Sequence, residues 1–221
     1  MKPKRYYPLF ADLEGRRCIV VGGGVVAQRK VTTLLRYGAA LTVVSPSATR
    51  RLRAYARAGR IRYVARKFRP GDLRGAWLIY AATDDEAINA LVYRTATRRR
   101  IFTNVVDQKP LCSFIAPSIF RRDPLTIAVS TTGASPTIAK RLRHELAGTI
   151  GADYVPMLRL LRSLRGVAKR RLPSYHDRKR YFDQLVDGRV FALVRAGHVS
   201  QARRYAIGLL NIAAKTQNGR S

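Results

Sequence analysis

Short apolar runs alternate with segments of helical period through the first half of the chain. Residues 18–21 form an apolar run typical of a buried strand, and beyond three glycines apolar side chains recur at Ala27, Val31 and Leu34. The later runs of the same kind are residues 41–44, 61–64, 77–82 and 101–106. This alternation predicts an α/β fold with a parallel, doubly wound sheet of the Rossmann type.

The pattern changes after residue 107. Two further apolar runs, residues 113–120 and 124–130, flank a short polar turn and predict an antiparallel hairpin. A helix should follow, with Ser135 at its N-cap and Pro136 at its first position. From residue 151 onward the signals are helical only. The predicted division is a dinucleotide-binding domain at 1–112, a hairpin-and-helix segment at 113–149 and a small all-α domain at 150–221.

Polar residues mark the predicted starts of two helices in the first half. Ser47 is the expected N-cap of a helix over residues 48–57, and Thr83 or Asp84 that of the helix after the fourth strand. Acidic residues in the first turn of the latter suit the positive end of the helix dipole.

A cluster of three glycines joins the first predicted strand to the first predicted helix. Gly22 would let the chain reverse tightly, and Gly24 would leave room for a pyrophosphate beside the free N–H groups of the helix. Ala27 stands where the usual fingerprint has its third glycine. The pattern indicates dinucleotide binding, and the alternative is a tight turn without a ligand.

The second strand leaves the choice of dinucleotide open. Ser45 stands where an Asp or Glu usually binds the ribose 2′-hydroxyl of NAD. Ser45, Thr83 and Asp107 all follow predicted strands. We therefore expect them to meet the glycines at the carboxyl ends of the strands, where sheets of this type bind ligands.

Two sets of polar residues have the chemistry of a reactive site. Asp107 follows a buried strand and could exchange a proton while a nicotinamide accepts a hydride. The alternative for Asp107 is that it caps the next loop. Thr131, Thr132 and Ser135 form a hydroxyl-rich loop before a helix, suited to a carboxylate or phosphate, and the alternative is simple capping by Ser135.

The chain is strongly basic. It has 43 Lys and Arg against 13 Asp and Glu, which gives a formal net charge of +30 at pH 7. Such a balance indicates a polyanionic partner, nucleic acid being the usual one, or only a solvated basic surface. The basic residues are spread along the chain rather than gathered in one arm.

The sequence argues against several other classes of protein. Cys18 and Cys112 make neither a disulfide framework nor a metal cluster. His144, His176 and His198 share no metal-ligand spacing, so no metal site is predicted. No apolar run approaches the length of a membrane span, and no apolar signal core follows the basic amino terminus. We predict a cytoplasmic protein.

Five motifs, in order, resemble those of the precorrin-2 dehydrogenase family, which also forms the amino-terminal module of siroheme synthases. They are Val21-Gly-Gly-Gly-Val-Val-Ala-Gln-Arg-Lys30, Ala81-Ala-Thr-Asp-Asp85, Asn104-Val-Val-Asp107, Ser113-Phe-Ile-Ala-Pro-Ser118, and Pro124-Leu-Thr-Ile-Ala-Val-Ser130 with Gly133, Ser135 and Pro136. Each motif alone is weak, but the ordered set is specific.

The resemblance implies NAD-dependent oxidation of precorrin-2 to sirohydrochlorin by a homodimer. In some members it also implies insertion of Fe(II) to give siroheme. Asp107 matches an aspartate implicated in both activities, and residues 113–149 match the segment that builds the dimer interface. With the patterns above, the predicted NAD-binding residues are Gly22, Gly24, Val25, Val26, Ser45, Pro46, Ser47, Thr83 and Asn104. The predicted substrate-binding residues are Ser113, Thr131 and Thr132.

Two departures and one alternative accompany the resemblance. Thr131 stands where some bifunctional members have a serine, and the sequence has no methyltransferase domain, so we expect precorrin-2 to be made elsewhere. Precorrin-2 carries eight carboxylates, which suits a basic cleft. The alternative is an NAD-sensing regulatory module that binds nucleic acid through basic helices, although no helix-turn-helix or single-strand-binding signature supports it.

Overall fold

The chain folds into two compact units. The computed structural model describes residues 5–218, and it describes their side chains except at 151, 152 and 216–218. The first unit extends to Ala116 and the second begins at Pro117.

Five parallel strands form the sheet of the first unit. They are β1 (Arg17–Val21), β2 (Ala40–Val44), β3 (Arg62–Val64), β4 (Leu78–Ala81) and β5 (Phe102–Val105). Their order in the sheet is β3-β2-β1-β4-β5, so the chain starts in the centre, moves to one edge and returns to build the other. This is the predicted doubly wound parallel sheet, and the prediction is confirmed. The order reverses between β1 and β4, and in such sheets the crevice for ligands opens there.

Three helices cover this sheet. They are α1 (Val25–Leu35), α2 (Arg50–Arg57) and α3 (Glu86–Arg98), with short 3₁₀ helices at Pro70–Leu73 and Lys109–Leu111. Ala27, Val31 and Leu34 are the buried residues of α1, as their helical spacing predicts.

The core of the first unit lies on both faces of the sheet. Along β1, Cys18 and Val20 pack in one cluster, while Ile19 and Val21 pack in another. Successive side chains of a strand point to opposite faces. Both faces are covered here, so the strand is apolar throughout instead of alternating with polar residues.

The predicted N-caps of α2 and α3 are wrong by one or two residues. Thr49 caps α2 in place of Ser47, and its hydroxyl accepts a hydrogen bond from the amide of Leu52. Asp85 caps α3 in place of Thr83 or Asp84. In both cases several capping-type residues precede the helix, and tertiary contacts decide which of them takes the role.

The second unit begins with the predicted antiparallel hairpin. Strands β6 (Ser118–Arg122) and β7 (Leu125–Val129) pair in register, and the turn between them contains a cis peptide bond at Asp123–Pro124. The first strand starts five residues later than predicted. Ser113 instead bonds back to the first unit's own strand β5, and Pro117 has no N–H to donate to a ladder.

Four helices follow the hairpin. They are α4 (Pro136–Arg171), α5 (Tyr175–Asp187), α6 (Arg189–Arg195) and α7 (Val199–Asn218). Their buried core includes Leu160, Leu164, Leu185, Val190 and Leu210. Among the described residues, no helix combines the length and apolar character that crossing a membrane requires.

Helix α4 continues through Gly148 and Gly151, where the sequence predicts a boundary. Glycine lowers helix propensity by only about 1 kcal/mol relative to alanine, which the rest of a long helix can absorb. The division at residues 112 and 149 therefore stays a prediction, while the backbone itself separates at Ala116.

Candidate active site

The glycine turn after β1 is too tightly packed for any side chain at its first position. Gly22 has φ of +119°, a conformation that other residues rarely adopt, and its N–H donates to the carbonyl of Val44 at 3.0 Å. A Cβ at Gly22 would lie 2.1 Å from the carbonyl oxygen of Ala82. The predicted tight reversal at Gly22 is confirmed, and the turn lies between the ends of β2 and β4.

The second glycine is required for a different reason, which the sequence alone did not indicate. A Cβ at Gly23 would lie 1.8 Å from the carbonyl oxygen of Ser47, so the loop after β2 rests directly on the glycine turn. The carbonyl of Gly23 accepts a hydrogen bond from the amide of Thr49 at 2.9 Å. The Thr49 hydroxyl also donates to Oε1 of Gln28 on α1 at 2.7 Å. These contacts fix the starts of α1 and α2 against each other.

Helix α1 begins with amide groups that no described side chain caps. Gly24 is its N-cap and offers no side chain, and the first turn has no acidic residue. By contrast, α2 and α3 are capped by Thr49 and Asp85. A Cβ at Gly24 would meet no atom within 4 Å, so the space in front of the helix is open. Free N–H groups with open space before them suit the diphosphate of a dinucleotide.

The two valines that follow are presented to solvent. Val25 is 57% exposed and Val26 is 40% exposed, although both are apolar residues in the first turn of a helix. Exposed apolar side chains beside an anion-binding turn can cover the rest of a bound dinucleotide. Their contact with NAD stays a prediction.

The loop after β2 lies at the same edge of the sheet. Ser45 is buried, its N–H donates to Val64 at 3.2 Å, and its carbonyl accepts a hydrogen bond from the Tyr63 hydroxyl at 3.0 Å. Pro46 and Ser47 are exposed. The loop contains no carboxylate, so a 2′-phosphate would meet no repulsion from it.

Thr83 is held after β4 by a buried amide that the sequence reasoning missed. Asn89 of α3 is only 3% exposed, and its Nδ2 donates to the carbonyl of Thr83 at 2.9 Å. The Thr83 hydroxyl lies 3.0 Å from Oδ1 of Asn89 and accepts the amide of Asp85 at 3.2 Å. A buried Asn in the first turns of a helix is the signal that could have indicated this role.

Two further predicted site residues tie the chain after β5 to the sheet. The Asn104 amide donates to the carbonyl of Phe114 at 3.0 Å. The Ser113 hydroxyl accepts the amide of Thr103 at 2.7 Å. Each of these side chains uses part of its hydrogen-bonding capacity within the protein. Contact of Asn104 with the cofactor and of Ser113 with the substrate stays a prediction.

Asp107 lies two residues beyond the end of β5, at the same edge as the glycine turn. Its side chain is exposed, and the structure gives its carboxylate no hydrogen bond or ion pair with any described residue. Its φ of +59° is uncommon for a residue with a side chain, although Asp tolerates it better than most. Such strained residues concentrate at functional sites. The carboxylate is thus available to a ligand.

Lys30 is a further charged group near this edge, and sequence reasoning assigned it no role. Its Nζ lies 4.9 Å from the centroid of the Tyr80 ring. Burial lowers the pKa of the Lys30 ammonium, and the negative charge of Asp107 opposes that change. Burial also raises the pKa of Tyr80 well above its usual range, so the phenol stays neutral. The only sequence signal was the place of Lys30 at the end of the glycine motif.

The predicted hydroxyl residues of the second unit lie in the loop between β7 and α4. The Thr131 hydroxyl donates to the carbonyl of Ser135 at 3.0 Å and accepts its amide at 3.1 Å. Thr132 is exposed with φ of +52°. Ser135 caps α4 by accepting the amide of Ile138 at 3.2 Å, which confirms the N-cap prediction. Substrate binding by Thr131 and Thr132 stays a prediction.

Metal ligands are not gathered in the part of the chain that the structure describes. No group of three or more His, Cys, Asp or Glu side chains there could hold a metal ion. The charged side chains described at this edge include the Asp107 carboxylate and the Lys30 ammonium.

Three family models match consecutive parts of the chain. Residues 9–118 match a family described as putative NAD(P)-binding, residues 122–149 the central region of sirohaem biosynthesis proteins, and residues 153–210 the sirohaem synthase dimerisation region. The resemblance implies that residues 113–149 build the dimer interface. The family model described as the dimerisation region instead matches residues 153–210, which lie in α4 to α7.

Known proteins match most of the chain. It is 41% identical over 199 residues to siroheme synthase 1 of Serratia proteamaculans (strain 568), covering 90% of this chain and 42% of that protein. It is 38% identical over 206 residues to siroheme synthase of Sodalis glossinidius (strain morsitans), covering 93% of this chain and 44% of that protein. The chain thus spans less than half the length of the siroheme synthases it matches.

A solved structure shares the fold over nearly the whole chain. The structure of SirC, precorrin-2 dehydrogenase, superposes with a TM-score of 0.75 at 27% sequence identity, covering 90% of this chain and 100% of that one.

Proposed function

Because the chain belongs to the family of siroheme synthases and precorrin-2 dehydrogenases, we propose that it oxidises precorrin-2 to sirohydrochlorin with NAD as the hydride acceptor. The observation that carries the proposal is that one edge of one sheet holds both an uncapped helix N-terminus and a carboxylate without a hydrogen bond or ion pair to any described residue. The first can bind the diphosphate of NAD, and the second can accept a proton.

The residues of the glycine turn hold the cofactor. When bound, NAD supplies the acceptor for the hydride that leaves the reduced macrocycle. Gly22 and Gly23 let β2, β4 and α1 approach closely, and Gly24 keeps the way to the first-turn N–H groups of α1 open. Thr83, fixed by Asn89, and the loop after Ser45 line the same edge.

Asp107 acts as the base. Oxidation of precorrin-2 to sirohydrochlorin removes one hydride and one proton, so a proton acceptor is needed beside the ring. A carboxylate that no described residue engages can take that proton directly. Its position after β5 puts it at the carboxyl edge of the sheet, together with the residues that hold the cofactor.

The charge of the chain suits its substrate. A formal net charge of +30 creates a positive potential that attracts a ring with eight carboxylates and raises its rate of capture.

Residues 153–210, which match the dimerisation region, support a homodimer. Iron insertion stays a prediction, tested by comparing Fe(II) incorporation into sirohydrochlorin with and without the protein.

The direct test is turnover of precorrin-2 with NAD, followed by growth of the sirohydrochlorin absorption. Asp107→Asn should reduce turnover by about a hundredfold or more, in line with the loss of a general base, while NAD still binds. Asp187→Asn, which also removes one exposed carboxylate, serves as the matched control and should keep full activity. No turnover by the wild-type chain overturns the proposed function. Full activity of Asp107→Asn overturns the role of Asp107 alone.

A further inference from the structure

A cavity of about 240 Å³ lies between α3 and the 3₁₀ helix at Pro70–Leu73, and the proposed reaction does not use it. It is lined by Pro70, Leu91, Thr95, Arg98 and Arg99. Leu91, Thr95 and Arg98 are spaced by four and three positions, so they form one stripe along α3. Helix α3 starts after the carboxyl end of β4 and ends before the amino end of β5. The cavity, near the end of this helix, therefore lies at the edge of the sheet opposite the glycine turn.

Thr95 is the buried polar residue of this lining. Only 9% of it is exposed, and the structure gives its hydroxyl no hydrogen bond with any described residue. Threonines in helices commonly donate to the carbonyl four residues earlier, and Thr33 and Thr149 do so here, each at 3.0 Å. A buried hydroxyl without a partner is unfavourable. Because Thr95 lines the cavity, a molecule bound there can supply the missing hydrogen bond.

Both charged side chains of the lining are cations. Arg98 has no hydrogen bond or ion pair with any described residue, and Arg99 donates from Nη1 to the carbonyl of Pro70 at 3.1 Å. A guanidinium has five N–H donors, so most donors of this pair stay available. The carboxylate of the 3₁₀ helix, Asp72, is instead paired with Arg66 at 2.6 and 2.9 Å. The carbonyls at the end of α3 carry about half a negative charge, against two full positive charges.

The lining indicates which chemistry the cavity can hold. A phosphate monoester carries a charge of about −1.5 to −2 at pH 7 and three strong acceptor oxygens, which matches two guanidinium groups and one hydroxyl. Leu91 and Pro70 offer apolar surface to the organic part of such a compound. The volume equals that of about eight water molecules, which is too small for a ring with eight carboxylates. The ligand must be a small molecule.

We propose that this cavity is a second anion site of the first unit, which binds the phosphate group of a small phosphorylated compound through Arg98, Arg99 and Thr95. The site lies away from the glycine turn and does not depend on the proposed function. A phosphate bound there links α3 to the 3₁₀ helix that precedes β4.

The test measures binding of phenyl phosphate, a small monoester with an apolar group, by calorimetric titration of the full chain at about pH 8. Chloride keeps the ionic strength constant, so screening of the basic surface does not change. Thr95→Val removes the hydroxyl, and Arg98→Gln removes one charge of the lining. Arg94→Gln removes one charge from an exposed position of the same helix outside the cavity and is the matched control. Phosphate bound elsewhere contributes alike to all variants.

Arg98→Gln should weaken binding about tenfold and Thr95→Val about threefold, while Arg94→Gln should match the wild type. Benzoate, which carries one carboxylate, should bind at least about threefold more weakly than phenyl phosphate. Without ligand, Thr95→Val should melt at or above the wild-type temperature, because it removes a hydroxyl that has no partner.

No saturable binding to the wild type, or equal affinities of Arg98→Gln and Arg94→Gln, overturns the site. Equal affinity for benzoate overturns the assignment to phosphate. A lower melting temperature of Thr95→Val shows that its hydroxyl is bonded within the protein and overturns its role in the site. An inactive wild type in the precorrin-2 assay overturns the proposed function and leaves these binding results to decide the second site.

Discussion

Two glycines of the same turn should respond to the same substitution in opposite ways. Gly22→Ala places a methyl group against the backbone just after β4, whereas Gly24→Ala places it in open space before α1. The first change should damage the fold and the second should damage NAD binding alone. The pair therefore separates the structural role of the turn from its role in binding.

The expected size of each effect follows from local geometry. At Gly22 a residue with φ of +119° costs about 1–3 kcal/mol, and a Cβ 2.1 Å from the Ala82 carbonyl adds overpacking of similar size. A loss of about 3 kcal/mol should lower the melting temperature of the first unit by about 10 °C. At Gly24, φ of −77° and ψ of −172° suit any residue. The melting temperature should then change by no more than about 3 °C.

Thermal unfolding followed by circular dichroism measures the first effect, and calorimetric titration with NAD measures the second. We expect Gly24→Ala to lose affinity for NAD by about tenfold or more, because the methyl group occupies the approach of the diphosphate. If Gly24→Ala binds NAD as the wild type does, the diphosphate does not lie before α1. If Gly22→Ala melts with the wild type, the described turn is wrong.

Three further outcomes are expected. Asn89→Ala leaves the Thr83 carbonyl without its buried donor and should lower the free energy of unfolding by about 1–3 kcal/mol, measured by urea titration. An unchanged free energy of unfolding would show that this contact does not stabilise the fold. Hydrogen bonds from Arg66 hold the pKa of Asp72 below its usual range, so this pair stabilises the fold above about pH 4 and the contribution is lost as the pH falls further. Asp72→Asn should thus lower the melting temperature at pH 7 more than at pH 3, and an equal effect at both refutes the assignment. Because the loop after β2 has no carboxylate, KM for NADP should be within about tenfold of that for NAD, and a much larger ratio points to a discriminating group elsewhere.

The fold of the first unit was largely readable from the sequence, because its strands are buried on both faces. Strands of this kind appear as continuous apolar runs, and the helices between them carry their apolar residues at a different spacing. The ends of elements were less readable. Ser47 and Thr49 are both good caps, and the choice depends on the contact of Thr49 with Gln28, which no local pattern reveals.

The candidate site was predictable where it depends on chain order. Gly22, Thr83 and Asp107 each follow a strand, and parallel strands bring their carboxyl ends to one edge. Contacts between distant residues were not predictable. Lys30 lies on a helix far in sequence from Tyr80 and Asp107, and only the packing of α1 on the sheet brings its ammonium over the ring.

The positive charge of the chain should make capture of the anionic substrate depend on salt. The field of many exposed Lys and Arg side chains extends over about a Debye length, about 10 Å at 0.1 M salt, so added salt should slow capture of the anionic substrate. The value of kcat/KM should therefore fall as salt is raised to about 0.5 M, while kcat at saturating substrate changes little. If kcat/KM does not change with salt, the positive charge of the chain does not raise the rate of substrate capture.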